Sequence, residues 1–235
     1  MKKISVIVPA YNEENNIGIA IDLLKKQDHK NFEIIIIDNN STDRTFEIAK
    51  SKGVTVLKEF KKGTNNALEC GRQAATGEII VRMDADCLPD PWWLSLGAKH
   101  FEDDRVSALT GPYDYYDSKS IFRWITLFIQ KYIYSITNHQ VQLLGLGAVL
   151  TGGNSFMRAT SLEKIGGFDK AFLFYGDDSD TAKKLSKHGK VIFHRKLVIK
   201  TSARRFQKEG VIKITWLYFK GFMLVLSGLE HKLKQ

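Results

Sequence analysis

The chain is predicted to be an α/β protein built on a Rossmann-like, mostly parallel sheet, with helices on both faces and a smaller second half. Three observations predict this. Short apolar, β-branched runs alternate with helical patterns through residues 1–105. The runs are continuously apolar instead of alternating, which is the pattern of parallel strands covered on both faces. Acidic and small polar residues follow several runs directly, and ligands of open α/β sheets bind at that carboxyl edge.

Residues 4–8 (Ile-Ser-Val-Ile-Val) make the first strand, and Pro9 stops it. Together with Met1-Lys2-Lys3 this run resembles a signal peptide only superficially, because it is short and no small-residue cleavage site follows. Asn12-Glu13-Glu14 then open a helix with Ile17, Ala20, Ile21 and Leu24 on one face and acids in its first turn. Residues 32–37 read as the second strand. Ser41-Thr42-Asp43 cap a helix carrying Phe46, Ile48 and Ala49. Residues 54–57 form a third strand, 66–76 a helix and 78–83 the fourth strand, joined by right-handed crossovers.

Beyond Leu88 the pattern loosens. A helix is expected over 91–101, a strand over 106–110 and a long apolar helix over 121–136, interrupted by Arg123, Gln130 and Lys131. Those interruptions are too many for a bilayer span. Residues 146–153 read as a Gly-rich strand and turn, 178–188 as a helix and 191–193 as a strand. The stretch 211–228 is apolar and aromatic, but Lys213 and Lys220 make it interfacial. The expected organisation is one domain over 1–210, with halves at 1–105 and 106–210, followed by a basic amphipathic tail at 211–235.

Composition narrows the class. With 43% hydrophobic residues the chain can bury a sizeable core and is not disordered. Cys70 and Cys87 match no zinc or redox spacing and read as reduced thiols of a cytosolic protein. The net charge of +9 is uneven: residues 195–235 hold ten Lys or Arg against only Glu209 and Glu230. An anionic partner is implied. Interleaved Trp216, Tyr218, Phe219 and Phe222 favour a membrane surface over nucleic acid, although a solvated basic helix explains the same charges.

The chemistry centres on Asp84-Ala85-Asp86, placed directly after the apolar run Ile79-Ile80-Val81-Arg82-Met83. Two carboxylates at a strand end repel one another unless a cation or donors compensate them. Hard oxygen ligands suit Mg²⁺ or Mn²⁺. An ordinary acidic loop is the plainer alternative. Parallel topology brings two other strand ends to the same edge, Pro9-Ala10-Tyr11-Asn12-Glu13-Glu14 and Asp38-Asn39-Asn40-Ser41. The arrangement suits a nucleotide: Asp38 could accept from a base N–H or a ribose hydroxyl, and the backbone after Ala10 could wrap the base. A turn or cap role explains Asp38 equally well.

These segments resemble a known family. Residues 6–14 (Val-Ile-Val-Pro-Ala-Tyr-Asn-Glu-Glu) and 36–43 (Ile-Ile-Asp-Asn-Asn-Ser-Thr-Asp) look like family 2 glycosyltransferases of the GT-A fold. Asp84-Ala85-Asp86 is similar to that family's Asp-x-Asp, Gly166-Gly167-Phe168-Asp169 to its Gly-Gly-Phe-Asp, and Gly176-Asp177-Asp178-Ser179-Asp180 to its Glu-Asp-x-Asp segment. The resemblance covers about residues 4–206.

It implies inverting transfer of a single sugar from a nucleotide-sugar donor to an acceptor hydroxyl. The half at 1–105 would bind donor and the half at 106–210 acceptor. Asp86 is implied as the direct metal ligand, with Asp84 on the ribose or a metal-bound water, and Pro9, Ala10, Tyr11, Glu13 and Asp38 around the nucleoside. Asp178 is implied as the base, with Asp177 in place of the usual Glu; an acidic first turn of the helix is the plainer reading of both. Gly152, Gly153 and Asn154 resemble the acceptor-side loop, where glycines admit close backbone approach. Arg204 and Arg205 resemble arginines that meet the donor diphosphate. The processive Gln-x-x-Arg-Trp motif is absent. Position 39 is Asn where the family often has Asp, and no Gly-Lys-Gly surrounds Gly63. Arg72 is a weaker diphosphate candidate than a surface arginine, and His194 reads as a strand-end histidine instead of a third metal ligand.

The expected setting is the inner face of a cell membrane, with a glycan or lipid-linked acceptor from envelope biosynthesis. A non-catalytic nucleotide-sugar-binding or membrane-associated module is the alternative from another class. A dehydrogenase fails because no Gly-x-Gly-x-x-Gly follows the first strand. Nucleic-acid binding would leave the carboxylate pair unexplained.

Overall fold

The structure, a computed structural model, describes residues 1–172 and 175–233. The amino-terminal half follows the expected alternation: β1 (Ile4–Ala10), α1 (Ile17–Lys25), β2 (Phe32–Asp38), α2 (Thr45–Ser51), β3 (Thr55–Lys58), α3 (Thr64–Ala74), β4 (Ile79–Met83) and α4 (Trp93–Ala98). Next come β5 (Val106–Thr110), β6 (Tyr113–Tyr115), α5 (Ser120–Phe128), a π-helical stretch (Ile129–Tyr134) and α6 (Ser135–Leu143). The chain continues through β7 (Asn154–Arg158), α7 (Ala159–Lys164), α8 (Asp177–Ser186), β8 (Lys190–Phe193), β9 (Ile199–Thr201), α9 (Arg204–Glu209) and α10 (Val211–Leu226). The last two residues of the expected tail lie outside the described residues.

Seven strands form one sheet in the order β3-β2-β1-β4-β7-β5-β8, and β6 pairs with β9 in a small second sheet. The first four strands in that order are parallel, so Ala10 pairs with Asp38 and both end on one edge. β7 runs antiparallel between β4 and β5, placing Asn154 opposite Met83. The two halves of the sequence therefore share one continuous sheet.

Continuous apolar strands send alternate residues to opposite faces. Val6, Val8, Ile36 and Val81 pack with Ile17, Ile21 and Leu24 of α1 on one side. Ile7, Ile35, Ile37 and Ile80 pack with Leu68 of α3 and Leu185 of α8 on the other. Both faces are buried, as the strand composition predicts.

Several boundaries differ from the sequence expectation. α1 begins only at Ile17 and has no acid in its first turn. Glu13 and Glu14 are held in the preceding loop, where their backbone N–H groups donate to Thr45 Oγ1 and Asp43 Oδ2. Asp43 precedes α2, accepting from the N–H of Thr45 through Oδ1. Residues 146–153 are loop and turn, with no strand until Asn154. The helix expected over 121–136 extends, through the π-helical stretch, from Ser120 to Leu143.

Candidate active site

Strand termini build the site. β4 ends at Met83, so Asp84 and Asp86 project from the carboxyl edge of the sheet beside the ends of β1 and β2. Asp84, Asp86 and Cys87 each place one ligand atom within 4.8 Å of the others. Burial, followed by the charge of Asp84, pushes the Asp86 carboxyl up to about 6. Burial also raises Asp84. Such an oxygen pair is short of positive charge, and its hard donors fit Mn²⁺ or Mg²⁺. The Cys87 thiol is pushed well up by burial and contacts the carbonyl of Gly153 at 3.8 Å, so the hard donors of the cluster are the two carboxyl groups.

Arg204, at the start of α9, supplies positive charge here. Its guanidinium bonds both carboxylate oxygens of Glu13, one at 2.9 Å through Nη1, and lies 3.2 Å from Asp86 Oδ2. Thr201 Oγ1 donates to Asp86 Oδ1 at 3.1 Å. The neighbouring Arg205 turns elsewhere, over the Tyr175 ring and toward Glu209. Of the two adjacent arginines, Arg204 is the one whose contact with Asp86 is described.

The acids of α8 reach the same edge. Gly176, at φ 92, ends the loop before Asp177. Arg82, the charged residue inside the otherwise apolar β4, sends Nη1 to Asp178 Oδ1 at 2.5 Å and to Asp177 Oδ2 at 3.2 Å. Burial, together with the charge of Asp178, pushes Asp177 up to about 7, against the opposing pull of Arg82. The Asp178 side chain is 27% exposed and that of Asp177 10%. A Cβ on Gly152 would lie 2.7 Å from Asp178 Oδ2, and one on Gly153 would collide with Asp84 Oδ2. One glycine corner therefore lies against both acid pairs, and it must be side-chain-free. Asn154, beyond it, is fully buried: its amide donates to the carbonyls of Leu197 and Pro112 and accepts from Trp93 Nε1.

Around the other strand ends, Asp38 is buried and its Oδ1 has no hydrogen-bond partner among the described residues. Ala10 accepts from the N–H of Asn39, and Tyr11 is exposed beneath Lys62 Nζ, which lies 5.1 Å from its ring centroid. Pro9 pairs with Ile37 inside the sheet. Arg72 is bound by Glu69 through two hydrogen bonds, and Glu69 also accepts from the N–H of Phe168. Arg72 thus anchors the Gly166-Gly167-Phe168 turn. His194 stacks near His100, 4.7 Å between centroids, outside the carboxylate cluster.

A Rossmann-like sheet whose carboxyl edge gathers paired carboxylates, an arginine and a side-chain-free corner has its candidate site where open α/β folds hold their ligands. The family model for glycosyl transferase family 2 matches residues 5–166, and the chain belongs to that family. It is 26% identical to the glycosyltransferase AglE of Haloferax volcanii over 184 residues, covering 74% of this chain and 58% of that protein. It is 31% identical over 101 residues to the undecaprenyl-phosphate 4-deoxy-4-formamido-L-arabinose transferase of Pectobacterium carotovorum, covering 39% of this chain and 31% of that one. The chain spans 58% of the length of AglE and 35% of two further curated relatives. Among solved structures, the mannosyltransferase PcManGT of Pyrobaculum calidifontis, in complex with GDP-Man and Mn²⁺, shares the fold with a TM-score of 0.71 at 22% identity. That match covers 98% of this chain and 69% of PcManGT.

Proposed function

We propose that this chain transfers a single sugar, with inversion, from a nucleotide-sugar donor to an acceptor hydroxyl. The observation that carries the reading is the glycine corner: Gly152 abuts Asp178 and Gly153 abuts Asp84, so a leaving-group site and a base site face one another across it. The donor half, 1–105, holds the nucleoside near Asp38, whose free Oδ1 suits a base N–H or ribose hydroxyl. Pro9, Ala10, Tyr11 and Glu13 line that end. The 106–210 half supplies the acceptor side.

In the transfer, Asp178 accepts the proton of the acceptor hydroxyl, whose oxygen forms the new bond to the anomeric carbon. The bond from that carbon to the diphosphate breaks, and the nucleoside diphosphate leaves with the electron pair. Asp178 is the base because it is the more accessible acid, while Arg82 fixes its orientation. Mn²⁺ or Mg²⁺ on Asp86 and Asp84 would neutralise the leaving diphosphate. Arg204 adds to that charge. PcManGT, with GDP-Man and Mn²⁺, supports donor class and cation; the undecaprenyl-phosphate relative supports a lipid-linked acceptor at a membrane face.

A thermal-shift panel of UDP-, GDP- and dTDP-sugars with and without Mn²⁺ tests the reading. Cation-dependent stabilisation by one donor is expected in wild type and in Asp178→Asn, with transfer lost only in the variant. Turnover retained in Asp178→Asn places the base elsewhere, and a wild type that binds donor without transferring it makes the chain a binding module.

A further inference from the structure

The long helical segment Ser120–Leu143 is inverted relative to an ordinary surface helix. Three of its polar residues, Gln130, Asn138 and Gln142, face the protein. Gln130 is buried, accepting from the N–H of Tyr113 and donating to its carbonyl. Asn138 is buried between Val191 and Val149, and Gln142 bonds both backbone groups of Val191. Its apolar residues face out: Trp124 is 73% exposed, and Ile125, Phe128 and Ile133 are exposed along the same stripe. A water-facing helix surface is normally polar.

α10 has an apolar inner face, and it too carries an exposed apolar stripe. Ile214, Gly221 and Val225 are buried, while Ile212, Trp216, Phe219 and Met223 form an exposed stripe at helical spacing. Residues flanking the two helices bring their ends near one another. Phe122 of α5 packs on Phe206 of α9 at 5.5 Å between centroids, and Gly147, after α6, approaches Leu226 at the end of α10. Neither Ser120–Leu143 nor Val211–Leu226 contains a single Asp or Glu. Arg195 lies over the exposed Tyr132, and Lys213 and Lys220 are exposed beside the α10 stripe.

We propose that these two helices form one docking platform for an anionic lipid bilayer. Exposed tryptophans and aliphatics suit the acyl boundary, and acid-free helices carrying Lys and Arg suit its negative surface, although Lys213 also pairs with Glu209 just before α10. A second copy of this chain would face the platform's positive charge with the same positive charge, which is unfavourable. The platform is fastened to the candidate site: Lys183 of α8 donates to the carbonyl of Val225 at 2.6 Å, and Gly221 packs against Gly176, the residue before Asp177. Docking therefore holds the base-bearing end of α8 close to the lipid surface. That this presents a lipid-linked acceptor rests on the proposed glycosyl transfer; the docking itself rests on exposure and charge.

Co-sedimentation of the full chain with phosphatidylglycerol/phosphatidylcholine vesicles, with pure phosphatidylcholine as control, tests the platform. Wild type is expected on the anionic vesicles only, with a blue shift of tryptophan emission. Trp124→Glu with Phe128→Glu, Trp216→Glu with Phe219→Glu, and Lys213→Glu with Lys220→Glu should each cut the partition coefficient at least about tenfold. Their melting temperatures and any nucleotide-dependent stabilisation should stay unchanged, since these side chains are exposed. A wild type that remains in the supernatant overturns the proposal. So does a dimer, seen by light scattering, that the same substitutions dissolve without altering vesicle partition. Vesicle binding without stabilisation by any nucleotide sugar leaves the platform standing and removes the transfer reading.

Discussion

Arg82 Nη1 lies 2.5 Å from Asp178 Oδ1, joining the middle of β4 to the first turn of α8 across 96 residues of sequence. Arg82 also bonds Asp177, so one buried guanidinium holds both acids. Removing it leaves two carboxylates facing each other out of water. Arg82→Met should cost about 3 kcal/mol in urea unfolding, the range for breaking a buried pair from one side. Arg82→Lys should recover only part of this, because a shorter side chain ending in a strongly hydrated ammonium does not carry its charge to the place where Nη1 meets both acids. If Arg82 orients the base, Arg82→Lys lowers kcat with little change in donor KM.

Asp86 imposes a pH dependence whose sign is fixed. Burial and the charge of Asp84 push its folded pKa up to about 6, above the ordinary 3.8, so the folded state binds more protons than the unfolded state between those values. Its contribution to stability is intact below about pH 4 and is lost as pH rises through 6. The shift corresponds to at most about 3 kcal/mol. Asp86→Asn should therefore raise the melting temperature of the cation-free protein at pH 8, and the gain should vanish near pH 4. In wild type, Mn²⁺ should bind more weakly as pH falls through 6, because protons compete for the same oxygens.

Much of the donor half was legible because its signals are local. Continuous apolar runs can be buried only by two covered faces, and Pro9, Asp38 and Asp84 mark where each run meets the edge. The long-range pairings were not legible. β7 slips antiparallel between β4 and β5, which no local pattern announces. Arg82 stands within an apolar run, and a lone charge in a strand buried on both faces demands a buried partner, but nothing local says that the partners lie in α8. In the sequence Gln130 interrupts an apolar helix, yet it and Asn138 face inward, together with Val141. Periodicity identifies which residues share a helix face; only the neighbouring elements decide which face is inside.

Arg204 occupies positive-charge duty at Asp86 and Glu13 in this structure, close to where a cation would be held. Cation and guanidinium should therefore compete. Arg204→Gln is expected to tighten Mn²⁺ binding several-fold in the absence of nucleotide, measured by electron paramagnetic resonance titration. With Mn²⁺ present, the same substitution should weaken nucleoside diphosphate binding about tenfold, as loss of a charge-assisted contact implies. Unchanged cation affinity together with unchanged diphosphate affinity would remove Arg204 from the site.

Asn39 explains one departure from the family pattern. Its Nδ2 donates to the carbonyls of Glu59 and Lys61, both at 2.9 Å, and its Oδ1 accepts from the N–H of Gly63 at 2.9 Å. An amide satisfies all three, tying the 59–63 loop to the end of β2. A carboxylate cannot donate, so Asp at this position would face two carbonyl oxygens while also sitting next to buried Asp38. Asn39→Asp, the change toward the residue common elsewhere in the family, should destabilise the fold by about 2 kcal/mol instead of improving it. Hydrogen exchange should localise the loss to the amides of residues 59–63, with Gly63 most affected. A variant as stable as wild type, with those amides equally protected, would show that the loop is held by something other than Asn39.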